Sequence, residues 1–138
     1  MWKYYAILSA IFASLTAIFA KIGIKGVNSN LATAIRTVVI LFLTWGIVVA
    51  GHQLNGVKDL NRTNWLFLIL SGAATGLSWL FYFKALQLGD ASKVAPIDKL
   101  SVVLTILLSF LFLKEPVSAK VLTGGLLIMT GTIVIIWN

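Results

Sequence analysis

Three charged side chains, Arg36, Asp98 and Lys99, sit inside long apolar stretches of this 138-residue chain. A charge near a bilayer centre costs roughly 2.5–3.5 kcal/mol on insertion scales, so such residues are candidates for substrate or ion paths. Arg36 lies about six residues inside one apolar run and Asp98 about seven inside another, roughly 9–11 Å below the same membrane face. An Arg36–Asp98 ion pair is therefore geometrically open. Lys99, one residue on, points about 100° away from Asp98 on a regular helix. Two readings stand. One is a structural pair that pins two helices while Lys99 snorkels to the surface; the other is a charged group facing a water-filled cavity. One aspartate cannot neutralise both cations, which favours the cavity.

Hydroxyls and aromatics follow the charges at helical spacing. Asp98, Ser101, Thr105 and Ser109 fall within about 80° of one another at ~100° per residue, and Ser71, Thr75, Ser78 and Tyr82 fill a similar arc. Thr33, Arg36, Thr37 and Thr44 do the same. A lone hydroxyl stripe is more often packing glue. Three, each with a charge or an aromatic, are expected to line a shared polar path. Of the tryptophans, Trp2, Trp65 and Trp137 fall at span ends and Trp45 about one turn inside, as an aromatic belt requires. Trp79 does not fit the belt; with Tyr82 it is placed to stack a planar part of a ligand. Near the same face Arg36, Lys99, Lys84 and Lys21 stand against Asp98 alone, which favours an anionic or zwitterionic small molecule. Against this, Lys21 and Lys84 are also placed to snorkel to the interface. Pro96 lacks an N–H to donate, which predicts a kink or break, a hinge, near Ala91–Asp98.

Bond-making chemistry has little to stand on. The single histidine, His52, falls in a loop, and the chain has no cysteine. No Ser/His/Asp set, HExxH motif, carboxylate pair or phosphate-binding glycine loop occurs. No metal site, no cofactor and no enzymatic activity are expected.

The elements that must position these residues are membrane spans. Hydrophobic residues make up 59% of the chain and charged residues 11%, against about 25% charged in a soluble domain. A net charge of +7 would elsewhere point to nucleic acid. Here the Lys and Arg residues cluster at the ends of apolar runs, as membrane proteins place them, so the partner is the lipid bilayer and not a nucleic acid. Five stretches, at about Trp2–Ile24, Asn30–Ala50, Asn64–Leu86, Ala91–Leu113 and Ser118–Trp137, each hold the roughly 20 residues that cross a ~30 Å core. The expectation is one all-α domain over residues 1–138, a five-transmembrane-helix bundle, with Gly51–Thr63 as its long solvated loop. A signal-peptide reading of the first stretch fails, because its apolar run exceeds the ~7–15 residues of a signal core and four more spans follow. Lys3, Lys58, Arg62, Lys114 and Lys120 fall on one side, and Lys21, Lys25, Lys84 and Lys93 on the other. That even tally leaves single and dual orientation both open. Gly72 and Gly76 match the close-packing spacing of membrane helices. Gly124 and Gly131, seven apart, share a face on which a second copy is expected to pack.

Several motifs in order carry a family resemblance: Arg36 early in the second span, Tyr82-Phe83-Lys84-Ala85-Leu86 closing the third, and Ala91-Ser92-Lys93-Val94-Ala95-Pro96 opening the fourth. Lys114-Glu115-Pro116 ends the fourth, and Gly124 or Gly125 with Gly131 marks the last. The chain resembles the EamA-type domain of the drug/metabolite transporter superfamily over essentially its whole length. Most members carry two such repeats, inverted, in ten spans; this chain is similar to the short five-span branch. It does not match the related small multidrug transporters, whose first of four spans holds a glutamate. The resemblance implies a multi-pass secondary transporter, an exporter of a small polar metabolite in the cell (inner or plasma) membrane. It further implies alternating access by a dimer, for which the even charge tally permits an antiparallel homodimer. A non-transporting subunit of a larger complex and a lipid-linked sugar flippase are the alternatives.

Overall fold

The computed structural model describes residues 1–137. Among them there is no strand, and five helical stretches are long and apolar enough to cross a membrane. These are α1 (Trp2–Gly23), α2 (Ser29–Ala50), α3 (Arg62–Leu88), a broken span over Ala91–Leu113, and the last helix over Ala119–Ile136. The broken span comprises α4 (Ala91–Asp98), α5 (Leu100–Leu108) and a π-helical turn (Ser109–Leu113), so the last helix is α6. The protein is a multi-pass, all-α membrane protein, as its sequence leads one to expect.

Local capping chemistry sets the helix ends and shifts them by a few residues from the apolar limits. Asn28 opens α2 by accepting from the N–H groups of Asn30 at 2.9 Å and Leu31 at 3.4 Å, which satisfies two otherwise orphaned donors. Asn61 does the same for Asn64 at 2.8 Å, so α3 starts within the polar sequence ahead of the apolar run. Ser118 caps α6 through Val121 at 3.3 Å. Gly26, at φ 72°, makes the left-handed turn between α1 and α2 that side-chain-bearing residues resist. The loop expected over Gly51–Thr63 is partly ordered, with a 3-10 helix at Leu54–Asp59.

Contacts divide the chain into two units, Ile18–Leu88 and Met1–Ala17 with Gly89–Asn138. In the unit Ile18–Leu88, α2 and α3 pack along each other. Ser29 and Thr33, four apart, are the buried residues of α2; Phe83 and Leu86 are those of α3. Small residues on one helix admit the large ones of the other, and the core lies where α2 begins and α3 ends. Two long-range polar contacts reinforce that end. The Lys21 ammonium donates to the Leu86 carbonyl at 2.7 Å, and the Gln87 amide to the Val27 carbonyl at 2.9 Å.

In the other unit α6 packs against α4 and α5. Its buried residues are Gly125 and Thr132, seven apart. A Cβ on Gly125 would stand 3.1 Å from Ile106 Cδ1, whereas Gly124 and Gly131 have open space around them. Within this unit the close helix approach therefore uses Gly125. Gly124 and Gly131 present a face that the unit itself leaves uncovered.

Candidate functional site

The unit Ile18–Leu88 holds Arg36 two turns into α2, about 10 Å along it. The guanidinium carbon lies over the Trp79 ring, 4.2 Å from its centroid, and 5.1 Å from the centroid of Phe83. Trp79 and Phe83 are four apart on α3 and share one face, so a single helix supplies both rings. Such contacts contribute about 0.5–2 kcal/mol each, more where water is excluded. Tyr82 packs edge-on to Phe83, with centroids 6.4 Å apart and rings at 64°. The Arg36 Nη1 atom is buried and makes no hydrogen bond with any described residue. A face of Trp79 expected to stack ligand is thus occupied by Arg36, because a cation in an apolar span takes the best π-face within reach.

Hydroxyls near Arg36 are committed to their own helices. Thr33 donates to the Ser29 carbonyl at 2.9 Å, Thr37 to Thr33 at 2.8 Å, and Thr75 to Ser71 at 2.9 Å. With its one proton engaged, each hydroxyl presents lone pairs outward and acts toward a ligand as an acceptor. Ser78, on the same helix as Thr75, is exposed.

The second group of candidates lies in the other unit, around the helix break. The α4 helix continues through Pro96 and ends at Asp98; Lys99, with ψ −8°, separates it from α5. The break thus falls three residues after Pro96, where the Lys99 N–H turns back to the Pro96 carbonyl at 3.0 Å. Thr132 of α6 also donates to that carbonyl, at 3.3 Å. At the break the Lys99 ammonium reaches Asp98 Oδ2 at 3.3 Å. Both side chains remain partly open, 55% for Lys99 and 35% for Asp98. Thr105 is exposed on α5, one position before Ile106, which meets Gly125.

Sequence reasoning brought Arg36, Trp79 and Tyr82 to one helix pair, and Pro96, Asp98 and Lys99 to one break. It missed Phe83, whose i+4 spacing from Trp79 was the available signal, and Thr132. It also missed the role of Lys21, whose acceptor is a backbone carbonyl and leaves no trace in side-chain patterning.

Residues 1–137 match the model of the EamA-like transporter family. Among similar proteins, a Sinorhizobium sp. protein named "Uncharacterized transporter in cobO 3'region" is 48% identical over 134 residues, 97% of this chain and 95% of that protein. "Uncharacterized transporter YvbV" of Bacillus subtilis (strain 168) is 39% identical over 64 residues, 46% of this chain and 21% of that longer protein. No solved structure matches.

Proposed function

Since the chain belongs to the EamA-like transporter family and is a membrane transporter, we propose that it is a secondary transporter that exports a small polar metabolite across the cell membrane. The observation that carries this reading is the placement of charge inside apolar spans. Arg36 is retained at depth against aromatic faces, and Asp98 with Lys99 sits at a break in a spanning helix. Broken helices beside ionisable groups are a recurring construction of transporter sites. A scaffold subunit has no need of either cost.

The candidate path residues are Arg36, Thr75, Ser78, Trp79 and Tyr82 in the unit Ile18–Leu88, and Asp98, Lys99 and Thr105, with Pro96 as hinge, in the other unit. The Asp98–Lys99 pair is internally neutral, whereas Arg36 brings a positive charge to its own unit's candidates, which favours an anionic or zwitterionic solute over a cation. Alternating access requires two halves that rock about a shared site, and inverted repeats provide them. An antiparallel homodimer supplies that symmetry, with Gly124 and Gly131 as the contact because their face is open to a partner backbone.

The test is uptake into proteoliposomes by wild type, Arg36→Ala and Asp98→Asn. Both substitutions should abolish the flux of the transported solute while leaving helicity intact. Undiminished flux in folded variants would remove the site from the path.

A further inference from the structure

Arg36 has an unanswered donor. Its guanidinium carbon is 4.2 Å from one ring centroid and 5.1 Å from another, so two aromatic rings lie against it. Guanidinium carries five N–H donors in its plane and has no acceptor. Cation–π attraction stabilises the charge but accepts none of those in-plane hydrogens. Nη1 is buried and no described residue accepts from it. An unsatisfied buried donor is costly in any protein, and more so when charged. Such a group in a native structure calls for an explanation, and a partner supplied from outside the chain is one that meets the need.

No acidic side chain among the described residues accepts from Nη1. In the unit Ile18–Leu88 the only acidic residue is Asp59, in the 3-10 helix beyond the far end of α2. Arg36 precedes Ala50, the last residue of α2, by 14 positions, about 21 Å along the helix. Asp98 is engaged by its neighbour Lys99 at 3.3 Å. The nearby Thr33 and Thr37 hydroxyls carry lone pairs but are fixed to the α2 backbone.

We propose that Arg36 is a carboxylate-binding residue and that the solute carried is a monocarboxylate, seated on the in-plane N–H groups while Trp79 and Phe83 hold the guanidinium. The assignment rests on the transporter reading above and narrows it. Three features select this chemistry. A carboxylate is planar and accepts two parallel N–H bonds from one guanidinium. Its single negative charge equals the single positive charge of Arg36, so the occupied site is neutral within an apolar span. A phosphate monoester carries about −1.5 to −2 at neutral pH and would leave excess negative charge there. An ammonium or a neutral amide gains least, because the first is repelled and the second offers one weak acceptor. Trp79 and Phe83 act as positioning residues: they fix the plane of the fork and lower the local polarity.

The experiment uses the purified chain in phosphatidylcholine vesicles and four probes built on one ring: benzoate, phenyl phosphate, benzamide and benzylamine. Octanoate serves as a second carboxylate of different shape. Equilibrium binding should favour the carboxylates by about tenfold or more over the other three probes. Arg36→Lys, which keeps the charge but loses the fork, should weaken carboxylate binding by about tenfold. Arg36→Gln should abolish the preference. Trp79→Phe should keep the rank order with weaker binding throughout. Carboxylate and amide binding equally well to wild type would overturn the proposal, whether or not any variant folds. So would full carboxylate binding by folded Arg36→Gln, or no carboxylate binding at all. The transport reading fails separately. Arg36-dependent benzoate binding with no flux of any solute would remove transport and keep the carboxylate site. Flux of a non-carboxylate with no carboxylate binding would do the reverse.

Discussion

Replacing Arg36 with methionine should make the protein more stable and inactive at once. The charge at this depth, with a buried donor unanswered, costs about 2–3 kcal/mol. Against that stands the attraction to Trp79 and Phe83, about 1–2 kcal/mol for the two rings together. Methionine fills much of the same volume and regains about 0.3–1.5 kcal/mol from sulfur against the rings. The net is a stabilisation of about 2 kcal/mol. With an unfolding entropy of roughly 2.1 cal/mol/K per residue, as for globular chains, 138 residues convert that to a rise in Tm of about 7 °C. Tryptophan fluorescence during a thermal ramp in detergent measures it, and Trp79 itself reports on the contact. Solute flux should vanish in the same preparation. A variant that folds with native helicity but melts several degrees lower would refute the reasoning, since it would mean that Arg36 is held for structure and not for a ligand.

Thr132→Val removes the hydroxyl that reaches the Pro96 carbonyl and should cost about 0.5–1.5 kcal/mol, read as a lowered Tm. Gly125→Val forces a side chain against Ile106, where even a Cβ stands at 3.1 Å, and should destabilise by about 1–3 kcal/mol. Gly131→Val meets open space and should leave the Tm of the isolated chain unchanged, while lowering the yield of a cross-linked dimer. Reporter fusions at both termini should each be found on both sides of the membrane. A single fixed orientation would rule out the antiparallel pair.

The spans were legible because 20-residue apolar runs admit few other structures; their starts moved where Asn28, Asn61 and Ser118 offered caps, and three of their ends shifted by one or two residues, to Gly23, Leu88 and Ile136. Pro96 announced a break but not its position. A missing N–H says which bond is lost, whereas the turn at Lys99 depends on which carbonyls find new donors, including one on α6. Adjacent glycines were beyond reach for a similar reason. Gly124 and Gly125 differ by about 100° around the axis, and only the packed neighbour Ile106 decides which faces inward. Arg36 was legible as costly, but its company was not, since a ring face shows in sequence only as an aromatic residue.

Lys21 reaches an acceptor made 65 residues after it, and Val27 accepts from a donor made 60 residues after it. At roughly 5–20 residues per second, the ribosome delivers Leu86 some 3–13 s after Lys21. The first two spans are therefore made before the contacts that secure their junction exist. Until then the Lys21 ammonium must stay at the headgroup level, which keeps the end of α1 shallow in the bilayer. Arrival of the third span lets the lysine settle onto the carbonyl and draws the three segments together. A nascent chain halted before that point would hold two inserted helices and no finished unit, so quality control has a defined interval in which to recognise it.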